Sequence, residues 1–450
     1  MTIVMKFGGS SLADADTIRH CAALVRGRGS DRVVTVVSAM AGVTDMLIEL
    51  AQAAADGTRM RVHTLLGKLH ERHELAARAF GASEAVAPLL SQLDTLVAGI
   101  GAVSELTPRS HDAVVSFGER LSAVIVAAAL DGHAMTGHEA GIVTDDRHTQ
   151  ANPLMKLSLH QIRETLQPRL EHGEPIVVTG FIAGTQHGAI TTFGRGGSDL
   201  TATLVGAGLP ADEVWIWSDV DGLMSADPRI VPEARLLAHV TFAEAIEMGQ
   251  FGAKSMHPRA LEPAAEYRVP VRMRNTFHPD CGGTLITDGQ PNGETVRSVL
   301  RLRGSALVTI AGAAMVGQPG TAARVFQALA DVGVNVQVIS QTVSEAGISV
   351  VIPASQLDPA RVALENRLVR TGVARKVEIE SDIDVVAVVG AGMAGVPGIA
   401  ARVFGAVARR EVNVMAIAQG SSELTICFVV KADASATAVQ ALHAEFGLAG

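Results

Sequence analysis

Two glycine turns carry the residue types that could handle phosphate. Lys6-Phe7-Gly8-Gly9-Ser10-Ser11 follows Thr2-Ile3-Val4-Met5, a short apolar run that reads as a buried strand, and precedes Ala15–Arg26, whose spacing predicts a helix. A strand, a Gly-Gly turn and a helix start leave bare backbone N–H groups at a positive helix end, an anion site to which Lys6 adds a full charge. The spacing is not that of a Walker loop, because the lysine comes before the glycines. Alone, this stretch fits an ordinary glycine turn equally well. A second turn, Gly194-Arg195-Gly196-Gly197-Ser198-Asp199, lies between a β-like run at Ala189–Thr192 and a helix-like run at Leu200–Gly206. Two such turns facing each other could hold a phosphate chain.

Other polar residues sit at the ends of apolar segments. Arg32–Val37 is a strand candidate running into Ser38-Ala39-Met40-Ala41-Gly42-Val43-Thr44-Asp45. Small and hydroxyl residues at a strand's carboxyl end are where open α/β sheets bind ligands, although Thr44 or Asp45 could equally be a helix cap. Ser116–Ala123 puts Glu119 into a very apolar helix, and a carboxylate is seldom buried without a partner; a surface turn is the alternative. Val214–Trp217 reads as a strand ending in the acidic loop Ser218–Arg229, which suits a ribose, hydrated Mg²⁺ or merely solvent. The chain has six lysines against 31 arginines, and Lys6 and Lys254 both fall in glycine-bearing loops, where a compact charge suits phosphate.

The elements that must position these residues come from a chain of 450 residues, enough for two or three domains. Hydrophobic residues make up 48% and aromatics only 3%, so the cores are expected to be aliphatic. A net charge of −9 argues against nucleic acid as a main partner. Cys21, Cys281 and Cys427 are far apart with no C-x-x-C, so reduced cytoplasmic thiols are expected, without disulfide or zinc cluster. No secretory leader is read at the start, and the longest apolar run, Ala123–Leu130, is too short to span a membrane. Residues 46–130 are helical in pattern and read as a lobe inserted in an α/β domain. Helices are expected at Pro153–His172 and Phe242–Gly249, strands at Pro175–Ile182 and Val269–Asn275, and a linker at Asp288–Gly293.

The last third repeats itself. Val308–Ile352 aligns without gaps on Val386–Val430 at an offset of 78 residues, with about half the positions identical; Asn335 falls on Asn413 and Gln341 on Gln419. Each copy reads as strand, glycine loop, helix, strand, strand, helix. The first continues into a strand at Val373–Glu380, while the second stops after its last helix. Val296–Leu302 could supply the missing strand, which would insert one module within the other. Gly390-Ala391-Gly392-Met393-Ala394-Gly395 matches a dinucleotide fingerprint, but the other copy has Ala314 at the middle glycine, so the match is discounted.

Taken in order, Lys6–Ser11, Ser116–Arg120, Gly194–Asp199 and the Asp219–Arg229 loop resemble the aspartokinases of the amino acid kinase superfamily, and the repeats resemble paired ACT domains. The resemblance implies an amino acid kinase fold, an open and mainly parallel α/β sheet with helices on both faces, followed by two ferredoxin-like α+β modules. The expected domains are 1–288 with its lobe at about 46–130, then 305–381, then 382–450 completed by strand 296–302. The implied reaction takes ATP and L-aspartate to 4-phospho-L-aspartate and ADP. By resemblance, Lys6, Gly8, Gly9 and Ser10 hold the transferring phosphoryl, with Lys6 and Asp199 as the catalytic pair. Arg195 takes the substrate α-carboxylate, Glu119 and Asp199 its ammonium, and Ser38 and Thr44 its side-chain carboxylate. Ser218, Asp219, Arg229 and Lys254 match nucleotide positions, Mg²⁺ bridges phosphates, and no residue is a direct metal ligand. The loop departs from the family pattern at Met224 and Ser225-Ala226. A chain ending at Gly450 suggests the monofunctional type, cytoplasmic, a dimer or tetramer, with no membrane partner. Effector contacts are expected near Asn335, Gln341, Asn413 and Gln419. Neutral Gln337 disfavours lysine, and loss of an asparagine from both Gln-x-x-Ser-Glu stretches weakens threonine. A kinase of another small amino acid, or a non-catalytic amino-acid sensor, are the alternative readings.

Overall fold

The structure, a computed structural model, describes residues 1–252, 256–289, 293–312, 315, 318–341 and 347–449. Contacts divide the chain into two units. The first comprises Met1–Leu223, Ala238–Phe242 and Met256–Gly289; the second comprises Met224–Leu237, Ala243–Ser255 and Gln290–Gly450.

The first unit contains strands β1 (Thr2–Phe7), β2 (Arg32–Val37), β3 (His133–Met135), β4 (Val143–Thr144), β5 (Ile176–Thr179), β6 (Ile182–Thr185), β7 (Ile190–Thr192), β8 (Glu213–Ser218), β9 (His239–Thr241), β10 (Val271–Asn275) and β11 (Thr284–Thr287). Eight of them form one sheet in the order β3-β5-β2-β1-β8-β10-β11-β9, parallel except between β10 and β11. The remaining three, β4, β6 and β7, make a small second sheet. β1 is central, so both its faces are covered and its residues after Thr2 are all buried, which is why it reads as an unbroken apolar run.

Helices α1 (Ala15–Arg26), α2 (Val43–Ala55), α3 (Arg59–Ala79), α4 (Ser83–Val103), α5 (Pro108–Val115) and α6 (Phe117–Leu130) build the lobe and pack against one face through Ile3, Met5 and Phe7. Asp14 starts α1 by accepting from the Thr17 N–H at 2.9 Å, a capping box that holds the chain as it leaves the first glycine turn. The other face is covered by α7 (Met155–Glu171) and α8 (Gly197–Gly208), with α10 (Pro258–Glu266) against α8; α9 (Phe242–Gln250) lies between β9 and α10 in sequence. Ser83–Val103 and Pro108–Leu130 are each long and apolar enough to cross a membrane by composition, although polar residues interrupt both. In the second stretch 78% of the most apolar window is buried inside the unit, so its apolar side chains are core.

In the second unit, β12 (Ser298–Ala311), β13 (Val338–Gln341), β14 (Gly347–Pro353), β15 (Lys376–Val389), β16 (Ala416–Gln419) and β17 (Thr425–Lys431) form one sheet in the order β13-β14-β12-β15-β17-β16. The long strands are shared between the repeats. Residues 305–311 of β12 pair with β14 and with the first part of β15, while 298–302 pair with 385–389, which in turn pair with β17. The segments Val373–Glu380 and Val386 onward, which read separately in sequence, therefore belong to one strand with an irregularity between Leu302 and Leu307 on its partner. Helices α11 (Thr321–Ala330) and α12 (Leu357–Leu364) pack on the first repeat, and α13 (Ile399–Ala408) and α14 (Ala432–Glu445) on the second. The stretches Asp288–Gly293 and Thr342–Ala346 fall partly or wholly outside the described residues.

Phe428 on β17 is 1% exposed and meets Phe404 of α13 edge to face, with ring centroids 5.8 Å apart. Phe428→Ala is expected to cost about 3–5 kcal/mol, the usual range for emptying a buried aromatic site. Chemical denaturation followed by circular dichroism measures it; a cost below about 1 kcal/mol would mean that the second repeat's core tolerates the cavity.

Candidate active site

The turn after β1 lies close to the segment after β2 because Gly9 lacks a side chain. A Cβ on Gly9 would come within 3.1 Å of the Ala39 carbonyl oxygen, and one on Gly8 within 3.6 Å of Lys6 Nζ. The Gly8 N–H donates to the Trp217 carbonyl at 3.2 Å, Ser11 N–H to the Gly8 carbonyl at 3.0 Å, and the Ser11 and Thr276 hydroxyls meet at 2.6 Å in the interior. The turn is thus anchored to β8 and to the segment after β10. The second glycine turn enters α8: Gly196 adopts φ 72° as its N-cap, and a Cβ there would strike His257 at 2.4 Å. At the end of β2, Gly42 (φ 74°) is the N-cap of α2, so Thr44 and Asp45 occupy the first helical turn and neither is the cap.

These three helix starts surround a cavity of about 360 Å³ lined by Lys6, Gly9, Ser38, Thr44, Asp45, Glu119, Phe181, Ser198 and Asp199, among others. Lys6 Nζ lies 2.6 Å from Asp199 Oδ1, an ion pair largely withdrawn from solvent. Glu119 is 3% exposed. Its Oε1 accepts the Ala39 N–H at 3.1 Å, whereas Oε2 is buried with no hydrogen-bond partner. Desolvation pushes its carboxyl up to about 8, against the opposing pull of the Ala39 N–H and Lys6. The cavity therefore combines one ammonium, three carboxylates (Asp45, Glu119 and Asp199), hydroxyls and helix-start N–H groups, a set suited to a small zwitterion beside a phosphate.

Lys6, Gly9, Ser38, Thr44, Glu119 and Asp199 thus meet at one cavity. Gly8 is buried beneath it, and Ser10 is exposed in the following 3₁₀ turn. Arg195 shares the turn of Asp199, but its side chain is exposed and does not line the cavity. Ser218 ends β8 and Asp219 is exposed just beyond it. Arg229 belongs to the second unit, where it is exposed and binds Asp227 bidentately, at 2.7 Å from Nη2. Lys254 lies outside the described residues. In the repeats, Gln341 lines a cavity of about 320 Å³ with Met315, Gln318, Pro319, Gly320 and Thr321, while Asn335, Asn413 and Gln419 are exposed. Sequence reasoning passed over Phe181 and Ala39. Phe181 lines the cavity with φ 64°, a strained value for an aromatic residue that Gly180 before it gave no means of reading. Ala39 acts through its backbone alone, which no residue type reveals.

Comparison with known proteins defines the class first. A family model described as the Amino acid kinase family matches residues 1–275, and one described as an ACT domain matches 308–368 and 386–446. Aspartokinase 3, chloroplastic, of Arabidopsis thaliana is 34% identical over 467 residues, covering 99% of this chain and 82% of that protein. The crystal structure of E. coli aspartokinase III in complex with aspartate and ADP superposes with a TM-score of 0.82 at 30% identity, covering 99% of both chains. The chain belongs to the aspartokinase family. It is also 35% identical to the bifunctional aspartokinase/homoserine dehydrogenase 1 of Zea mays over its whole length, and spans about half the length of that relative, 50%.

The raised Glu119 pKa makes a stability prediction. Between the ordinary value of 4.5 and about 8 the folded chain holds a proton that the unfolded chain has lost, so this group's contribution falls as pH rises through that window. Glu119→Gln removes the dependence. In ligand-free protein, the melting temperature of the variant relative to the parent should climb from pH 5 to pH 9. A difference that stays flat with pH would mean that Glu119 is ionised throughout.

Proposed function

We propose that this chain transfers the γ-phosphoryl group of ATP to the side-chain carboxylate of L-aspartate, giving 4-phospho-L-aspartate and ADP. The observation that carries this reading is the buried, unpartnered Oε2 of Glu119, which lines the same cavity as the Lys6–Asp199 pair. An unpaired buried carboxylate oxygen is costly unless a ligand completes it, and a substrate ammonium is such a ligand.

An aspartate side-chain carboxylate is ionised at neutral pH, so the chemistry needs no general base; it needs alignment and neutralisation of charge on the transferring group. A carboxylate oxygen attacks the γ-phosphorus, the bond to the bridging oxygen breaks, and that electron pair leaves with ADP. Lys6, the Gly9 N–H and Ser10 carry the phosphoryl side; Gly8, whose N–H is given to the Trp217 carbonyl, shapes the turn beneath them. Glu119 and Asp199 receive the ammonium, Ser38 and Thr44 the reacting carboxylate, and Arg195 the α-carboxylate by turning inward from solvent. Ser218, Asp219, Arg229 and Lys254 are the proposed nucleotide contacts. Among the described residues no three His, Cys, Asp or Glu side chains group as a metal site. Mg²⁺ accompanying the nucleotide would supply neutralisation of the triphosphate.

We assign 1–288 to catalysis, 305–381 and 382–450 with 296–302 to effector sensing, and propose a homo-oligomer in the cytoplasm, where the free Cys21, Cys281 and Cys427 suit a reducing compartment. The deciding experiment incubates the protein with Mg-ATP and a panel of amino acids and traps acyl phosphate with hydroxylamine. Hydroxamate from aspartate alone supports the proposal, and its absence with aspartate ends it. In that assay Lys6→Ala should lower turnover by roughly 10²–10³-fold, the scale for losing one charge-stabilising donor. Near-normal turnover would remove Lys6 from the phosphoryl site.

The Gln341 cavity is the proposed effector site, with Asn335, Asn413 and Gln419 as further proposed effector contacts. A missing asparagine amide forfeits a hydrogen bond worth about 0.5–1.5 kcal/mol. Threonine is therefore expected to inhibit weakly, in the millimolar range or above. Inhibition titrations with each aspartate-derived amino acid check this, and half-inhibition by micromolar threonine would contradict it.

A further inference from the structure

We infer that Asp112 is a positioning residue for the substrate amino acid, fixing the turn that carries Asp199 against the helical rod that carries Glu119. Asp112 lies on α5, does not line the cavity and is 0% exposed. Its carboxylate accepts the Thr192 hydroxyl at 2.7 Å and the Thr192 N–H at 3.2 Å, the Thr149 N–H at 2.9 Å, and His148 Nδ1 at 2.9 Å. His111 Nδ1 stands 3.7 Å away.

Each partner leads to the cavity. Thr192 is the last residue of β7, two positions before the glycine turn begins at Gly194. Thr149 adopts φ 71°, a left-handed conformation unusual for a branched side chain, and holds it with its N–H on Asp112. Its carbonyl would lie 3.2 Å from a Cβ on Gly194, so the strained residue abuts the turn. On the other side, Ser116 N–H donates to the Asp112 carbonyl at 3.0 Å and Arg120 N–H to the Ser116 carbonyl at 3.2 Å, so α5 runs into α6 without losing its hydrogen-bonded path. Asp112 and Glu119 thus ride on one rod. A single buried carboxylate, with four donor groups converging on it, fixes the spacing between the two carboxylates proposed to grip the ammonium.

This inference rests on the proposed aspartate reaction. The test is steady-state kinetics of the full chain with aspartate and ATP varied separately. Asp112→Asn keeps the shape but faces at least one of those donors with an amide N–H. It should raise the KM for aspartate about tenfold or more, with the KM for ATP within about twofold of the parent, a loss confined to one substrate. His148→Asn retains a donor near Nδ1 and should stay within about threefold of the parent, whereas His148→Leu should shift the aspartate KM in the same direction as Asp112→Asn. If Asp112→Asn does not fold, the two His148 variants decide. A lowered melting temperature with both KM values unchanged, or both raised equally, overturns the inference and leaves Asp112 a structural residue only. A parent protein that does not phosphorylate aspartate would instead refute the reaction, which separates the two failures.

Discussion

The ion pair between Lys6 and Asp199 is the interaction on which the cavity depends. Neither side chain could be withdrawn from water alone; a lone buried ammonium or carboxylate would change its protonation state or force the site open. Paired at 2.6 Å, they keep a cation at the exit of the central strand and an anion at the start of α8. The pairing requires the two turns to face each other, with Gly9 packed under the Ala39 carbonyl and Gly196 against His257, where a side chain would not fit without displacement. The sheet, the lobe and the cap of α8 all converge on that constraint.

Glu119 shows the opposite economy. It is buried with one oxygen satisfied and one left without a partner, and its proton is held to about pH 8. The ligand-free protein thereby carries a group that weakens the fold as pH rises. On the proposed reading a substrate ammonium at Oε2 would relieve it, so that binding and local stabilisation would be one event.

Much of this was legible in the sequence because it rests on residue type and period. The buried β1, the strand–Gly-Gly–helix turns, the helical lobe and the internal repeat are all patterns of apolar spacing and glycine. Glu119 stood out because a carboxylate in an apolar helix is rare. What could not be read lies in backbone geometry and distant pairing. The N-cap of α2 is Gly42 rather than a hydroxyl or carboxylate, because the helix begins from a left-handed turn. Arg195 has the right residue type on the right turn, yet its side chain faces solvent. Asp112 carries no signal in residue type or spacing; its partners, Thr149 and Thr192, are 37 and 80 residues away in the chain. A paired acid and its orphaned neighbour are indistinguishable until the chain is folded.

The shared strands β12 and β15 also set an order of events during synthesis. Residues 298–302 are made before any of the first repeat, yet their partners at 385–389 come only after it is complete. At about 5–20 residues per second, that edge waits on the order of ten seconds for its neighbour. The inserted repeat can close first, from contacts nearer in sequence. The surrounding repeat, whose first strand emerges earliest and whose last helix emerges latest, must assemble around one already formed. An unpaired apolar strand waiting that long on the ribosome is the point in this chain's life at which mispairing and chaperone capture compete most directly with folding.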